Sequence, residues 1–390
     1  MNRQQILKQF IFAFPAIFLF TGFYLTKSSP KILVGITISF ILFSIFTLNI
    51  KEIITQIKER KFVWLLWIAS LFALISKEIH GYGNGEIRVL VCLAVYTSCI
   101  PNNTISLLKK NLNLLIISSC VISFIYSFYF TYLLDIRREL WPINPNPYST
   151  FSASVTVISL YYLIKCNDIK YRIMNLIAFS IGFSSIIISQ TRGSLLSLFI
   201  SLIFLFILTS MKKKTLIISL VLSAIFSIGI LNAEKFESRF EQTKNEIISI
   251  KSGNLNTSMG HRLQIWQAGY ELAKSPTLIG LGETYIKANE NLFAEGKITK
   301  EAVYWDHYHN QYINTFIKHG FIGIIILILF IAAPIWHYKK IKGVNLSLLG
   351  VLISIIYIVS SLTEIPFNQA ISLGFYLIFS FIITSKDEHI

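Results

Sequence analysis

The sequence predicts an all-α polytopic membrane protein with about twelve transmembrane helices. Of its 390 residues, 54% are hydrophobic and only 14% are charged, whereas soluble domains carry roughly 25% charged residues. Apolar runs of about eighteen residues recur along the chain, and each is long enough to cross about 30 Å of hydrocarbon. Because such spans pack side by side into one bundle, we expect a single membrane domain.

Hydropathy divides the chain into apolar spans that are mostly joined by short loops, as adjacent helices require. The exception is the connection between the ninth and tenth spans. The predicted boundaries are 1–232 for the first nine helices, 233–319 for a long loop with amphipathic helices, and 320–390 for the last three helices. The predicted spans are 9–25, 31–50, 62–77, 88–101, 112–134, 149–165, 173–189, 194–210, 215–232, 320–336, 344–361 and 369–385.

The placement of basic residues predicts the orientation of the bundle. The formal net charge is +15. With the N-terminus inside, about eighteen Lys and Arg fall in cytoplasmic segments such as "KERK" at 58–61 and "KKK" at 212–214, and about seven fall in the short loops on the other side. This asymmetry follows the positive-inside rule, so both termini are expected in the cytoplasm and the loop at 233–319 outside. Membrane lipids, and not nucleic acid, are the expected partners of the surface.

The first span and the cysteines bear on processing and redox chemistry. The first span, "FIFAFPAIFLFTGFYL", lacks a small-residue cleavage site and is expected to remain as an uncleaved anchor. No cysteine falls in the outward loop, so no disulfide framework is expected there. All four cysteines lie within predicted spans or at the cytoplasmic ends of spans, and they are Cys92, Cys99, Cys120 and Cys166.

Two outward segments before the tenth span have readable local structure. "NPNPY" at 144–148 is typical of a rigid turn. "SMGHRLQIWQAGYELAKSP" predicts a helix with Ser258 available as N-cap and Pro276 as the stop. Its apolar face, at spacings near 3.6, would be formed by Leu263, Trp266, Tyr270 and Ala273.

The segment "YWDHYHNQYINTFIKHGFIG" at 304–323 predicts an outward lip that continues into the tenth span. Tyr308 or His309 would lie in the first turn of a helix, and Gly320 would be its left-handed C′ residue. His307 would lie just before the helix. One helix face would carry His309, Tyr312, Ile313 and Phe316.

Three outward features could carry chemistry, and each has a plainer alternative. Arg192 lies in a four-residue turn, "SQTRGSLLSL", where its side chain either snorkels to headgroups or points into a cavity. Arg262 in "GHRLQIW" could be solvated or face lipid phosphate. His309, with His307 nearby, could be a cap or a solvated side chain. A zinc site is disfavoured, because the pair supplies at most two ligands and no CxxC or HExxH accompanies it.

Together, these features fit the needs of an enzyme that uses a polyprenyl-diphosphate sugar donor. The diphosphate of such a donor lies at headgroup depth, where two arginines could make bidentate contacts with its oxygens. Such contacts accelerate reaction where charge grows, which is on the leaving diphosphate. A histidine nearby could act as general base on an acceptor hydroxyl.

The motifs "ISQTRGSLLSL", "GHRLQIWQAGYELAKSPTLIGLG" and "HYHNQYINTFIKHGFIG", in this order, resemble the bacterial O-antigen ligase family of the ligase/polymerase superfamily. The resemblance covers about residues 185–335. It implies a metal-independent, inverting glycosyltransferase of the GT-C type, without cofactor, in the inner membrane of a Gram-negative bacterium. Such an enzyme transfers a glycan from undecaprenyl diphosphate to a sugar of lipid A-core during lipopolysaccharide biosynthesis.

The resemblance also implies roles for individual residues. Arg192 and Arg262 match the arginines expected to hold the donor diphosphate, and His309 matches the histidine expected to act as base. The supporting candidates are His307, Asn310 and Tyr312, together with the outward arginines Arg88, Arg137 and Arg138, which match no motif and could contact core phosphates or headgroups.

Alternative functions remain open at this stage. An O-antigen polymerase or a protein O-oligosaccharyltransferase would use the same donor, and the "HYHN" lip and the compact loop favour the ligase. A lipid-linked oligosaccharide flippase is the alternative from another class. It is disfavoured because ionisable residues are almost absent from the spans. Glu364, the nearest case, falls at a loop.

Overall fold

The computed structural model describes residues 3–209, 213–230, 233–335, 340–341 and 344–385. Some features named above lie outside these residues. They are the predicted span ends at 210, 232 and 336, Lys212 of the "KKK" segment, and the C-terminal residues 386–390. The described residues are mostly helical, and a two-stranded antiparallel sheet pairs Lys340 with Asn345. The strands are β1 (Lys340–Ile341) and β2 (Val344–Asn345).

The helices follow one another along the chain with few irregular connections. Residues Tyr129–Leu133 extend the seventh helix as a π-helical turn. The α-helices are α1 (Arg3–Thr21), α2 (Ser29–Thr47), α3 (Ile50–Glu59), α4 (Lys61–His80), α5 (Asn84–Cys99), α6 (Asn102–Lys110), α7 (Leu112–Phe128), α8 (Pro145–Lys165), α9 (Ile169–Ser189), α10 (Arg192–Leu208), α11 (Lys213–Ile230), α12 (Ala233–Lys251), α13 (Ser258–Ala273), α14 (Tyr285–Ala294), α15 (Gln311–Ala332), α16 (Leu346–Ser360) and α17 (Ala370–Thr384).

The length and composition of these helices identify a multi-pass membrane protein. Each predicted span overlaps one helix, and five helical segments in the described chain are long and apolar enough to cross a membrane. The pair α5 and α6, bent by 108°, would be a sixth. The other apolar helices, such as α10, α16 and α17, are shorter. The all-α class is therefore confirmed, while the number of twelve crossings stays a prediction.

The outer surface of the bundle is apolar, as a lipid-facing surface must be. Phe46 on α2 is 86% exposed, and Ile207 on α10 is 68% exposed. Single exposed apolar side chains are common on soluble monomers, but the many large ones exposed here would form the extended apolar surface that such proteins rarely have. They are explained here by contact with acyl chains.

Helix α8 lies at the centre of the bundle and is buried along nearly its whole length. It packs against α7, α9, α10, α16 and α17. Small and hydroxylated side chains allow this close approach, and their hydroxyls hydrogen-bond across helices. For example, Ser123 of α7 bonds Ser152 of α8 and Ser185 of α9. This centre fixes the N-termini of α8 and α10 and the C-terminus of α9.

The "NPNPY" segment is the start of α8 and not a separate turn. Pro145 is the first helical residue, where its missing N–H costs nothing. The Asn144 side chain caps the helix by accepting a hydrogen bond from the Asn146 backbone N–H at 3.0 Å. The prediction of a rigid turn at 144–148 is therefore wrong, because proline is compatible with a first helical turn.

Two short helices were not predicted. Helix α3 precedes α4, and α6 follows the bend after α5. Arg60, predicted as a cytoplasmic loop charge, is 8% exposed, and its guanidinium donates to the carbonyls of Thr97 and Ile100 at 2.7 and 2.8 Å. These carbonyls lie at the C-terminus of α5, so Arg60 satisfies backbone groups that the bend leaves open.

Helix α15 is broken at Gly320, as predicted. Gly320 has φ +63°, and residues 277–281 lie against the break. The N–H of Leu281 donates to the Ile317 carbonyl at 2.8 Å, and the N–H of Ile322 donates to the Leu278 carbonyl at 3.1 Å. A backbone break at membrane depth requires such partners. The break separates the lip (residues 304–319) from the span that follows.

Helix α13 forms where the sequence predicted it, but with a different cap and a different buried face. Thr257, not Ser258, is the N-cap, and its hydroxyl accepts a hydrogen bond from the Gly260 N–H at 3.0 Å. Leu263 and Tyr270 of the predicted apolar face are 43% and 66% exposed. The buried residues are Gly260, Gln264, Ile265, Ala268 and Gly269. The predicted face is wrong because small residues on the opposite side allow close packing against the lip.

Candidate active site

The lip places His309 at a special backbone position just before a helix. Asn310 is the N-cap of α15, and its side-chain oxygen accepts hydrogen bonds from the N–H groups of Tyr312 and Ile313 at 3.0 and 3.1 Å. The helix therefore begins at Gln311, and the prediction that Tyr308 or His309 lies in its first turn is wrong. His309 has φ +46°, a left-handed conformation that costs energy for a residue with a β-carbon.

The start of α15 is fixed against the turn that follows α16. The Gln311 N–H donates to the Ser361 carbonyl at 2.8 Å, and the Asn310 side-chain amide donates to the Leu362 carbonyl at 3.2 Å. The Tyr312 hydroxyl donates to the Ile358 carbonyl at 3.0 Å. Asn310 and Tyr312 thus hold His309 beside the turn at 361–364.

Glu364 in this turn is the centre of the site. Its Oε1 atom accepts from Arg262 Nη2 at 2.9 Å and from Asn146 Nδ2 at 2.6 Å. Its Oε2 atom lies 3.4 Å from His309 Nδ1. The side chains of Glu364 and His309 are only 14% and 16% exposed. One carboxylate therefore joins α8, α13 and the lip.

Arg192 and Arg262 face the same cavity. Arg192 is the first residue of α10, and both its terminal nitrogens lie 3.3–3.4 Å from the carboxylate of Glu246 on α12. The cavity has a volume of about 260 Å³. Its lining includes Arg138, Arg192, Arg262, Asn146, Thr363 and Glu364. His309 adjoins this cavity through Glu364.

The imidazoles of His307 and His309 lie together under Trp305. Their ring centroids are 4.1 Å apart, and the Trp305 ring meets His309 edge-on at 5.4 Å. Trp266 of α13 positions the segment that carries both histidines by donating to the Tyr308 carbonyl at 2.9 Å. Burial and then the neighbouring His309 lower the pKa of His307 from its ordinary value of 6.5 to about 4. His307 is therefore neutral near pH 7.

Of the three other arginines that were predicted to face outward, only one is at the cavity. Arg138 lines it and donates to the Gln190 carbonyl at 2.8 Å, beside the Arg192 turn. Arg137 is exposed, and Arg88 lies on α5. Neither of these two is among the lining residues of this cavity.

Sequence reasoning did not select Glu364, Asn146 or Glu246 for the site. A signal for Glu364 exists, since it is the only charged residue between Leu346 and Ser385. An isolated charge beside apolar spans indicates a functional position. Glu246 has no such signal, because charged residues are frequent in α12.

A second, larger cavity of about 720 Å³ lies at the other end of α4, α15 and α17. Its wall is formed by side chains such as Trp64, Leu65, Ile68, Leu329 and Phe381. None of the candidate catalytic or diphosphate-binding residues lines it. This lateral groove is largely apolar, with Glu59, Arg60 and Lys61 also in its lining, and its apolar part is suited to acyl chains.

Comparison with known proteins supports the resemblance read from the motifs. Residues 177–328 match the protein family described as O-antigen ligase. A protein of Haemophilus influenzae named only as uncharacterized is 30% identical over 200 residues, 49% of this chain and 49% of that protein. The O-antigen ligase of Escherichia coli is 26% identical over 172 residues, 42% of this chain and 41% of that protein.

The chain thus spans about half the length, or less, of the curated relatives that it matches. The family match includes Arg192, Arg262 and His309 but not Asn146 or Glu364. The resemblance is therefore confirmed for the segment that supplies both arginines and the histidine.

Proposed function

We propose that this chain, whose residues 177–328 match the O-antigen ligase family, transfers a glycan from undecaprenyl diphosphate to a sugar hydroxyl of lipid A-core. The observation that carries the proposal is the common cavity of Arg192 and Arg262, which Glu364 connects to His309. The cations suit a diphosphate, and the imidazole suits a general base. The proposed enzyme is an inverting glycosyltransferase of the GT-C type that needs no metal and no cofactor.

The two arginines would hold the donor diphosphate. The described contact of Arg262 with Glu364 uses only Nη2, and a guanidinium has five N–H donors. Arg262 can therefore keep Glu364 while it binds a phosphate oxygen. The Arg192–Glu246 contacts of 3.3–3.4 Å are long for charge-assisted bonds, which are typically about 2.7–2.9 Å. A diphosphate would replace Glu246 as the partner of Arg192.

The reaction would be a single in-line displacement. The acceptor hydroxyl attacks the anomeric carbon, the bond to the diphosphate oxygen breaks, and the configuration inverts. Negative charge grows on the leaving diphosphate, where Arg192 and Arg262 stabilise it. His309 takes the hydroxyl proton. Because Nδ1 faces Glu364, Nε2 is the nitrogen left for the acceptor, and the carboxylate stabilises the imidazolium that forms.

The proposed location follows from the predicted orientation. The enzyme would lie in the inner membrane of a Gram-negative bacterium, with both termini cytoplasmic and the site on the periplasmic side. Both substrates would reach it through the outer leaflet. The lateral groove and the apolar surface would contact membrane lipids.

Lipopolysaccharide from a deletion strain tests this function against its relatives. Loss of a ligase leaves bare lipid A-core and full-length glycan on the lipid carrier. Loss of a polymerase gives core with a single repeat, and loss of a flippase removes the surface glycan. Core with a single repeat would overturn the ligase assignment in favour of the polymerase. The complemented strain is the control.

A further inference from the structure

The His307–His309–Glu364 cluster holds donor atoms that no hydrogen bond uses. Nε2 of His307 and Nδ1 of His309 are buried, and neither has a hydrogen-bond partner. His309 Nδ1 lies 3.4 Å from Glu364 Oε2, but the contact does not have hydrogen-bond geometry. Buried polar atoms are normally satisfied, so this arrangement calls for a ligand between them.

The distances suit a transition-metal ion. One donor atom from each of the three residues lies within 4.8 Å of the others. With Zn–N and Zn–O bonds of 2.0–2.2 Å, a tetrahedral site separates its ligand atoms by about 3.3 Å. The observed 3.4 Å between His309 Nδ1 and Glu364 Oε2 is close to this value. Small side-chain rotations would bring a ring nitrogen of His307 from within 4.8 Å of these two atoms to the same separation.

The surroundings of the cluster support ligation. Arg262 and Asn146 hold Glu364 through Oε1 alone, which leaves Oε2 directed to the imidazoles. Metal-ligating carboxylates are commonly fixed in this way by other partners. The sequence supplied only two ligands at short spacing, and the fold brings the third from the turn after α16.

We propose that His307, His309 and Glu364 form a binding site for one zinc ion or a similar divalent transition-metal ion, with water or another ligand at the fourth position. Two histidines and one glutamate are a known zinc donor set. The proposal goes beyond the glycan transfer, which needs no metal. Where that function holds, the ion would take the lone pair of His309 Nδ1 and leave the ring proton on Nε2, so that His309 could not act as base and zinc would inhibit the reaction reversibly.

Cobalt titration of the purified protein in lipid nanodiscs tests the site. Co²⁺ in a site of low coordination number gives visible absorption that distinguishes it from hydrated Co²⁺. We expect such bands, saturation by one ion at this site and displacement by Zn²⁺. In His307→Gln and Glu364→Gln, the dissociation constant should rise by about 100-fold, since even partners of ligands contribute 10–100-fold.

His261→Gln is the matched control, because His261 also packs beside Trp305 but lies outside the cluster. It should bind Co²⁺ as the wild type does. Absence of the bands, or equal affinity in wild type and His307→Gln, would overturn the proposal.

X-ray absorption of zinc bound to the wild-type protein gives a second test that needs no variant. Two imidazoles and a carboxylate should appear in the first shell, and a shell containing sulfur would overturn the assignment. Both readouts are independent of glycan transfer. If the metal binds and the protein shows no transfer activity either with the ion or after EDTA treatment, the proposed function fails and the metal site stands.

Discussion

Glu364 acts on two different partners because its two oxygens point in different directions. Oε1 accepts from Arg262, which faces the cavity, and Oε2 faces His309. Removing its charge would weaken the positioning of both. Glu364 is therefore a positioning residue in the proposed reaction, acting through Arg262 and His309.

We expect Glu364→Gln to lower kcat by about 10²-fold, in the lower range of what a general base contributes. The KM for the acceptor should change much less, because the acceptor is not bound by this side chain. Steady-state kinetics with purified donor and acceptor measure both constants. Glu364→Asp should recover part of the rate.

Glu295→Gln is a suitable control for this variant. Glu295 pairs with Lys297 at 2.6 Å, and both side chains are more than half exposed. Such exposed pairs contribute little, so near-normal kcat is expected. Equal losses in both variants would contradict a specific role for Glu364.

His307 should make the stability of the metal-free protein depend on pH. Its folded pKa of about 4 is lower than the ordinary 6.5, so the unfolded chain binds more protons between these values. Stability is therefore full above about pH 6.5 and falls as the pH falls towards 4, by at most ~3 kcal/mol. The charged or titratable groups that act on it are His309, Glu364, Lys318 and Asp306.

Thermal unfolding in nanodiscs with EDTA at pH 7, 6, 5 and 4 measures this effect. His307→Gln should show a smaller loss of thermal midpoint across this range than the wild type. Identical pH curves for the two proteins would mean that His307 does not titrate as proposed.

At the scale of elements, the apolar runs of the sequence predicted where most helices lie. They could do so because whether a segment is buried or faces lipid depends mainly on its own residues. The break at Gly320 was also predictable, because a glycine directly follows the helical pattern of the lip and glycine readily adopts positive φ. The approach of Glu364 to Arg262, 102 residues apart, was not. Such a contact depends on how α8, α13 and α16 pack, and no local pattern encodes that packing.

The break in α15 itself should be sensitive to a single methyl group. A β-carbon at Gly320 would lie 2.5–2.6 Å from backbone atoms of Thr277, Leu278 and Gly280, at φ +63°. We expect Gly320→Ala to destabilise the protein by about 2 kcal/mol or more and to reduce transfer, because residues 277–281 support the lip.

Gly35→Ala on α2 is the matched control for this break. A β-carbon there meets nothing within 4 Å. Replacing glycine by alanine inside a helix should leave stability unchanged or raise it slightly. The thermal unfolding midpoints of both variants and of the wild type measure these effects. Equal midpoints for Gly320→Ala and wild type would contradict the account of the break.

At the scale of the whole molecule, the basic residues predicted which end of the bundle faces the cytoplasm, whereas the number of crossings depends on short helices such as α16 and α17.

Cysteine labelling measures the orientation. With an impermeant maleimide, Glu295→Cys in the long loop should react in cells with a permeabilised outer membrane. Lys170→Cys should react only after the inner membrane is broken. The reverse pattern would place the site in the cytoplasm and exclude the proposed substrates.

The common site of two guanidiniums and one imidazole is the claim on which the proposed function depends. The most direct test is the transfer rate from polyprenyl-diphosphate glycan to lipid A-core by purified Arg192→Ala, Arg262→Ala and His309→Ala in vesicles. We expect losses of about 10²-fold or more for each arginine and no measurable transfer for His309→Ala, with folding intact. Near-normal transfer by His309→Ala, or by either arginine variant, would contradict the claim.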